Sequence, residues 1–229
     1  MSSLWLHFKT KQEIKMFGIK MQVTTKKISV LLRPGTKEDI PELVKHFSSM
    51  RVHMYTQGLF GQTLENELEW YDKTRSSQEG CTWFIQPQGS KVAIGVTSLH
   101  KIDTWDGGCS SGIIIWDTNW WGKGVASAAH LARTLFAADF LNKYSIRSSV
   151  REDNQASRKA LEKVGYTVWG TEPVDAYRSG KWIKTHQLKW FRPDKHQFYF
   201  PDGLPELFTP GVARAKIALQ TARQVVEFI

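Results

Sequence analysis

The stretch from residue 111 to residue 141 restricts the fold of this sequence more than any other part. Residues 111–116 are rich in β-branched and aromatic side chains and predict a strand, and residues 126–141 are dense in Ala and Leu and predict a helix. Two glycines, Gly122 and Gly124, lie in the loop between them. A loop of this kind favours an anion, because the helix N-terminus presents unpaired N–H groups and the positive end of its dipole. The alternative is a plain turn, and two glycines alone do not decide between them.

The loop does not carry either of two familiar phosphate-binding motifs. A G-x-x-x-x-G-K-[ST] motif is absent, because Asp117 stands five residues before Gly122 and Gly124 follows Lys123. A G-x-G-x-x-G motif is absent as well, because residue 127 is a serine. The loop is therefore neither a P-loop nor a dinucleotide fingerprint.

A second motif follows about thirty residues later. A predicted strand at 145–150 leads to Asn154-Gln155-Ala156-Ser157, and a predicted helix then runs to Gly165-Tyr166. W-G-K-G-V-A followed by N-x-A-S-x-x-x-L-E-K-x-G-Y resembles the GNAT acetyltransferase superfamily, and most of all its RimJ/RimL branch of ribosomal-protein N-terminal acetyltransferases. The resemblance covers roughly residues 28–192. It departs from the family at Asn119, where the Q/R-x-x-G-x-G/A loop of the family begins with Gln or Arg.

The hydrophobic patterns along the chain predict an α/β (α+β) fold. Three antiparallel strands are expected to arrive at the glycine loop, and the whole pattern matches a mixed, mostly antiparallel central sheet with helices on both faces, as the resemblance implies. The predicted strands are 28–33, 82–86, 91–102, 111–116, 145–150, 166–170 and 181–190, and the predicted helices are 36–47, 62–75, 124–142 and 154–164.

The 229 residues suit one domain with extensions. We expect an N-terminal extension at 1–27, an acetyltransferase-like domain at 28–192, and a C-terminal extension at 193–229 that ends in a helix at 212–228. No apolar run approaches the roughly 20 residues of a membrane span, and residues 1–17 lack the apolar region of a secretory signal. Cys81 and Cys109 are too few for a disulfide framework or a cysteine-rich zinc site, and the expected compartment is a reducing cytoplasm.

The formal net charge of +9 is concentrated near the N-terminus, where residues 1–37 hold eight basic residues and one acidic residue. One interpretation is an arm that contacts RNA or the ribosome; the other, which we favour, is a solubilising extension. Ile14, Phe17 and Met21 could form one helical face of this arm. A nucleic-acid binder unrelated to the GNAT family is disfavoured, because the body of the chain carries little excess charge. The two extensions leave a homodimer open.

The resemblance implies acyl transfer from acetyl-CoA to a primary amine. In the family, the coenzyme arm pairs with a strand edge that opens where the strands at 111–117 and 145–150 splay apart. An oxyanion donor is expected near a bulge at residues 115–117. The residues expected to contact the coenzyme are Ile115, Trp116, Trp121, Gly122, Lys123, Gly124, Val125, Ala126, Asn154 and Ser157.

The catalytic residues are less well defined by the sequence. The tyrosine that many family members carry seven residues after the motif asparagine is replaced here by Leu161. In the RimL-like branch the serine of the motif is proposed to protonate the thiolate instead, which points to Ser157; a role in helix capping is the alternative. Asp117 and His100 are candidates for the general base, although water can also remove the proton.

Residues that could bind the acceptor are Glu65, Glu67, Glu69, Asp103 and His186. For at least two of the three glutamates a solvated helix face is the stronger interpretation, and His186 on a strand can be structural. The acceptor itself is expected to be a protein N-terminus or a small amine, including a polyamine or an aminoglycoside. The alternative function is a catalytically inactive GNAT-fold module that docks on RNA or protein through its basic arm.

Overall fold

The computed structural model describes residues 17–56, 60–77, 80–103 and 105–229. Two strands come first along the chain, then three helices and three strands, and helices and strands are interspersed after that, with short 3-10 turns between some of them. The strands are β1 Met21–Thr24, β2 Ser29–Arg33, β3 Gly80–Pro87, β4 Gly95–His100, β5 Gly108–Ile115, β6 Ser145–Arg151, β7 Thr167–Arg178, β8 Lys181–Phe191 and β9 Val226–Phe228. The helices are α1 Ile40–Phe47, α2 Met50–His53, α3 Leu64–Ser76, α4 Val125–Leu135, α5 Gln155–Lys163 and α6 Thr209–Val225.

The strands form one sheet in the order β7-β8-β6-β5-β4-β3-β2-β1-β9. Every neighbouring pair is antiparallel except β5 and β6, which are parallel. Two buried clusters cover opposite faces of the sheet, one under α4, α5 and α6 and the other under α1, α2 and α3. The predicted fold class, a mixed and mostly antiparallel sheet with helices on both faces, is confirmed.

The parallel pair β5–β6 separates soon after it forms. Only Gly108–Ser110 pairs with Ser145–Arg147. The last links between the two strands are side-chain hydrogen bonds, in which the hydroxyl of Ser111 donates to the carbonyl of Arg147 and the hydroxyl of Ser148 donates to the carbonyl of Ser111, each at 3.3 Å. Beyond this point β5 continues to Ile115 while its edge on the β6 side stays open. The sequence-based expectation of splayed strands is confirmed.

Both chain extensions pack on the same edge of the sheet. β1 pairs with β2 on one side and with β9 on the other, so the described N-terminal segment and the C-terminus are neighbours. The expected helical face through Met21 is therefore wrong, because Met21 begins a strand; Ile14 lies outside the described residues. The predicted boundary at residue 28 falls at the turn of the β1–β2 hairpin.

Helix α6 packs against α4 and α5, and it comes closest just after α5, where Gly165 has no side chain. Gly165 ends α5 with a φ of +103°, and a Cβ added there would lie 2.5 Å from the Cβ of Ala215. The predicted terminal helix at 212–228 is displaced by three residues, because the last of them form β9. In the described part of the chain, no helix has the length and apolar character needed to cross a membrane.

Candidate active site

An elongated cavity of about 710 Å³ occupies the gap between β5 and β6. Its floor is the open edge of β5 at residues 113–115, and one end is closed by the glycine loop and the first turn of α4. Helix α5 forms a side wall, and Val52 of α2 with Tyr55 and Thr56 just after it borders the other end. The β1–β2 turn, residues 25–27, completes the lining near the glycine loop.

The backbone of β5 turns its free groups toward this cavity. The N–H groups of Trp116 and Asp117 both donate to the carbonyl of Ile94, at 3.0 and 3.4 Å, which makes a bulge at the end of β5. Because hydrogen-bonded positions alternate along an antiparallel pair, the N–H of Ile115 points away from β4 and into the gap. The carbonyl of Ile115 accepts from Trp121 Nε1 at 2.9 Å. Of the three residues expected to include the oxyanion donor, Ile115 is the one whose N–H faces the cavity.

The glycine loop has the backbone geometry that its sequence requires. Gly122 and Gly124 have φ values of +76° and +93°, a region that other residues rarely adopt. Gly122, Gly124, Val125 and Ala126 line the cavity, so the unpaired N–H groups at the start of α4 lie at this end of it. Lys123 is exposed and does not line it; its ammonium lies 5.1 Å from the centre of the Trp120 ring.

Asn154 and Ser157, the two motif residues at the start of α5, differ in whether their side chains take part in the helix cap. Asn154 caps the helix, because its Oδ1 accepts from the backbone N–H of Ser157 at 3.1 Å. Both residues line the cavity. The hydroxyl of Ser157 takes no part in the cap and has no hydrogen-bond partner in the described part of the chain. It is therefore available to a ligand.

Several residues expected at the site lie outside this cavity. Trp116 is buried in the cluster under α1–α3. The Oδ1 of Asp117 accepts from the N–H of Asn119 at 3.0 Å and caps a 3-10 turn. His100 is exposed, and its Cε1 lies 3.9 Å from where a Cβ of Gly112 would stand. Partial desolvation, followed by the charges of Lys101 and Arg133, lowers the pKa of His100.

The acceptor-binding candidates are also away from the cavity lining. Oδ1 of Asp103 accepts from the N–H groups of Trp105 and Asp106, and these bonds lower its pKa. Glu65 and Glu69 are exposed on α3. The pKa of Glu65 is lowered by hydrogen bonds that its carboxylate accepts from the backbone of Glu65 and from the side chain of Thr63. His186 Nδ1 lies 3.0 Å from Thr171 Oγ1 in the β7–β8 pair. Glu67 is half-buried, and desolvation raises its pKa.

The structure adds cavity residues that the sequence did not identify. Lys26 and Lys27 line the cavity from the β1–β2 turn, and Lys159 and Lys163 line it from α5. The sequence carried a signal for the second pair, since residues four apart on a helix share a face. It carried none for the first pair, because the contact between the hairpin and the glycine loop is made only by the tertiary fold.

The segment after α2 is held at the far end of the cavity by a buried arginine. Arg151, at the end of β6, donates to the carbonyls of Met54 and Thr56 at 2.9 and 2.5 Å. Tyr55 packs against Trp121 with ring centroids 5.8 Å apart, and both residues line the cavity. Arg151 thus joins strand β6 directly to the residues that border this end of the cavity.

Splayed parallel strands, a glycine loop before a helix, and a cavity lined by four lysines suit a long phosphate-bearing ligand that lies along a strand edge. The sequence model of the acetyltransferase (GNAT) domain matches residues 29–167, which is more than half of the chain. The chain belongs to this family, and its class is that of acetyl-CoA-dependent N-acetyltransferases.

Solved structures of the same fold are similar over most of this chain. Spermidine N-acetyltransferase from Vibrio cholerae in complex with CoA and spermine has a TM-score of 0.64 and 17% identity, over 74% of this chain and 98% of that one. RimJ from Mycobacterium smegmatis in complex with CoA-disulfide has a TM-score of 0.67 and 15% identity, over 93% of this chain and 97% of that one. None of the curated proteins matches the sequence of this chain.

Proposed function

We propose that this protein transfers the acetyl group of acetyl-CoA to the α-amine of a protein N-terminus. The observation that carries the proposal is the cavity between β5 and β6, with a free strand edge along its floor and the glycine loop at its end. A small primary amine is the second candidate.

Two observations favour a protein N-terminus over a polyamine. A polyamine carries several positive charges and requires carboxylates, but Asp153 is the one acidic residue among the described residues that line the cavity. Glu65 and Glu69, the acidic candidates on α3, lie outside the lining. The likeness to RimJ also extends over 93% of this chain, whereas the likeness to the spermidine enzyme extends over 74%.

The residues of the cavity suit the chemical requirements of acyl transfer. The edge of β5 can pair with the amide groups of the coenzyme arm, and the N–H of Ile115 is directed to donate to the thioester oxygen as negative charge develops there. The amine must be neutral to attack. We assign proton removal to water, since Asp117 and His100 lie outside the cavity lining.

The departing thiolate needs a proton donor, and the hydroxyl of Ser157 is the proposed one. Asn154 already caps α5, so the hydroxyl of Ser157 has no structural role at the helix start. The amide nitrogen of Asn154 is proposed to donate to the coenzyme arm while its oxygen holds the helix. Trp121, Gly122, Gly124, Val125 and Ala126 are the remaining proposed coenzyme contacts; Trp116 and Lys123 do not line the cavity.

The test combines binding and turnover. We expect acetyl-CoA to raise the melting temperature of the wild type, because a ligand that binds only the folded state stabilises it by mass action. Gly122→Trp should abolish this shift. Gly89→Trp is the matched control, since Gly89 also has a positive φ of +89° and open space around it but lies in the β3–β4 turn.

Turnover is measured as free-thiol release with two sets of acceptors, peptides with free N-termini and polyamines. Release with peptides, and not with N-terminally blocked peptides of the same sequence, supports the proposal. Release with spermine alone would overturn the assignment of the acceptor. Coenzyme binding without release for any amine would favour the inactive binding module instead.

A further inference from the structure

The β1–β2 turn lies directly against the glycine loop. A Cβ added to Gly124 would stand 3.8 Å from Ile28 Cγ2 and 3.9 Å from the Cβ of Lys27. Both loops line the same cavity, in which Lys26 and Lys27 lie on the side of β2 and Lys159 and Lys163 lie on the side of α5. The N-terminus of α4 therefore has a pair of lysines on either side.

The turn is held in one conformation by the hydroxyl of Thr25. This hydroxyl donates to the carbonyl of Ile28 at 3.0 Å and accepts from the N–H groups of Lys27 and Ile28 at 3.3 and 3.1 Å. The backbone N–H of Thr25 donates to the carbonyl of Ile28 at 2.9 Å. A turn fixed in this way presents its side chains with little loss of backbone freedom on binding.

The two ammonium groups of the turn have no acidic partner. Lys26 and Lys27 are exposed, and neither lies within 4.0 Å of a carboxylate in the part of the chain that the structure describes. Both stand before residue 29, where the match to the acetyltransferase domain begins. Two of the basic residues of the N-terminal extension thus line the cavity beside the glycine loop.

We propose that the turn Thr25–Ile28, contributed by the N-terminal extension, is a phosphate-binding wall of the coenzyme site in which Lys26 and Lys27 bind the phosphates of CoA. The inference rests on the proposed function. A phosphate at the start of α4 is within the reach of a neighbouring lysine side chain, and a charge-assisted hydrogen bond from an ammonium is stronger than a neutral one. Thr25 acts as a positioning residue for the two lysines.

The test compares Lys26→Gln/Lys27→Gln with Lys20→Gln/Lys91→Gln. The control pair removes the same charge from exposed lysines that do not line the cavity. We expect the dissociation constant of acetyl-CoA, measured by calorimetry, to rise about tenfold in the turn variant and to stay within twofold in the control. Melting temperatures without ligand should be equal in both variants, because the side chains are exposed.

Truncated donors identify which phosphates are bound. Acetyl-pantetheine, which has no phosphate, should bind the wild type and the turn variant equally. Dephospho-acetyl-CoA lacks the 3′-phosphate but keeps the pyrophosphate. If the turn variant loses as much affinity for dephospho-acetyl-CoA as for acetyl-CoA, the lysines bind the pyrophosphate. If the variant loses much less affinity for dephospho-acetyl-CoA, the lysines bind the 3′-phosphate. Thr25→Val should weaken acetyl-CoA binding by a smaller factor than the loss of both lysines.

The outcomes separate this inference from the proposed function. Equal affinity of the turn variant and the control for acetyl-CoA overturns the phosphate-binding wall and leaves the enzyme assignment intact. An equal loss for acetyl-pantetheine also overturns it, because the effect would then not concern phosphate. If the wild type does not bind acetyl-CoA at millimolar concentration, both proposals are wrong.

Discussion

The guanidinium of Arg133 donates from Nη1 to the carbonyl oxygen of Gly112 at 2.8 Å. The same nitrogen donates to Thr97 Oγ1 at 2.8 Å, and that hydroxyl in turn donates to the Gly112 carbonyl at 3.0 Å. Arg133 lies on α4 and is fully buried, with no carboxylate within 4.0 Å among the described residues. Gly112 follows Ser111, the last residue of β5 that is hydrogen-bonded to β6, and precedes Ile113, where the open edge of β5 begins. A buried cation thus holds β5 at the point where the cavity begins.

Arg133→Met should lower activity without lowering stability. Replacing a buried charge with an apolar side chain of similar length is often neutral or stabilising, and Nε and Nη2 of Arg133 have no partners in the described structure. The melting temperature should therefore be unchanged or higher. We expect kcat/KM for acetyl-CoA to fall about tenfold, since small displacements of a binding edge are costly.

Arg158→Met is the matched control, because Arg158 lies on α5 at the surface and pairs with Glu162 at 2.8 Å. It should keep the wild-type kcat/KM. A large loss of stability in Arg133→Met, with normal kcat/KM in the fraction that is folded, would show that Arg133 is structural and does not position the strand.

Ser157→Ala should reduce kcat by about 100-fold if its hydroxyl protonates the thiolate. The helix cap is supplied by Asn154, so the free energy of unfolding should change by less than about 0.5 kcal/mol. Steady-state kinetics and thermal melting measure the two effects. Ser149→Ala, at an exposed serine of β6, is the control. A Ser157→Ala enzyme with wild-type kcat would remove this residue from the mechanism.

Gly165→Ala should destabilise the protein through helix α6. The added methyl group would lie 2.5 Å from the Cβ of Ala215 and 2.6 Å from its backbone, at a φ of +103°. Overpacking and an unfavourable φ together cost about 3 kcal/mol. Gly203→Ala is the control, with a φ of +122° but no atom within 4 Å, and should cost only about 1 kcal/mol. Equal losses in chemical denaturation would contradict close packing of α6 on Gly165.

Stability should decrease below about pH 6.5 because of His130. This residue of α4 is fully buried, and desolvation, with the charge of Arg133, lowers its pKa well below the ordinary value. The unfolded chain therefore binds a proton that the folded chain does not, so stability is present above the unfolded pKa and is lost as the pH falls below it. The slope approaches about 1.4 kcal/mol per pH unit for one such group.

His130→Leu should remove this contribution. Denaturation curves of wild type and variant at pH 8, 6.5 and 5 give the difference in free energy of unfolding at each pH. We expect the free energy of unfolding of the variant to increase relative to that of the wild type as the pH decreases from 6.5 to 5. A difference that is constant across the three values would mean that His130 does not resist protonation in the folded state.

Local patterns in the sequence were sufficient for most of the fold. Strand β6 and helix α5 were predicted within one residue at each end, because period-two and period-3.6 patterns and a capping residue are local signals. Strand β1 and helix α2 were not identified. The four residues of β1 are too few to show a clear alternation of apolar and polar side chains. The strand forms because β2 and β9 supply its hydrogen-bond partners.

The conformation of the glycine loop and the cap of α5 could also be predicted, because Gly122, Gly124 and Asn154 act through backbone conformation and local hydrogen bonds. The catalytic and acceptor candidates could not be placed in this way. Asp117 and Asp103 proved to accept backbone hydrogen bonds in their own turns, a role that a short polar side chain fills at many loop positions. Glu67 is partly buried while Glu65 and Glu69 are exposed, and which side of α3 faces the body depends on α1.

Local signals in the sequence were enough for the order of the elements from β2 to α6 except α2, for the glycine loop and for the cap of α5, because each depends on residues a few positions apart. The position of Lys26 and Lys27 in the cavity lining and the hydrogen bond from Arg133 to Gly112 depend instead on the tertiary fold. Those contacts join segments about 20 to about 100 residues apart, and they form because the two chain extensions pair at one sheet edge and α4 crosses beneath β4 and β5. Charge counted along the chain left RNA contact and a solubilising extension as alternatives for the N-terminal arm, whereas in the fold Lys26 and Lys27 line the cavity beside the glycine loop.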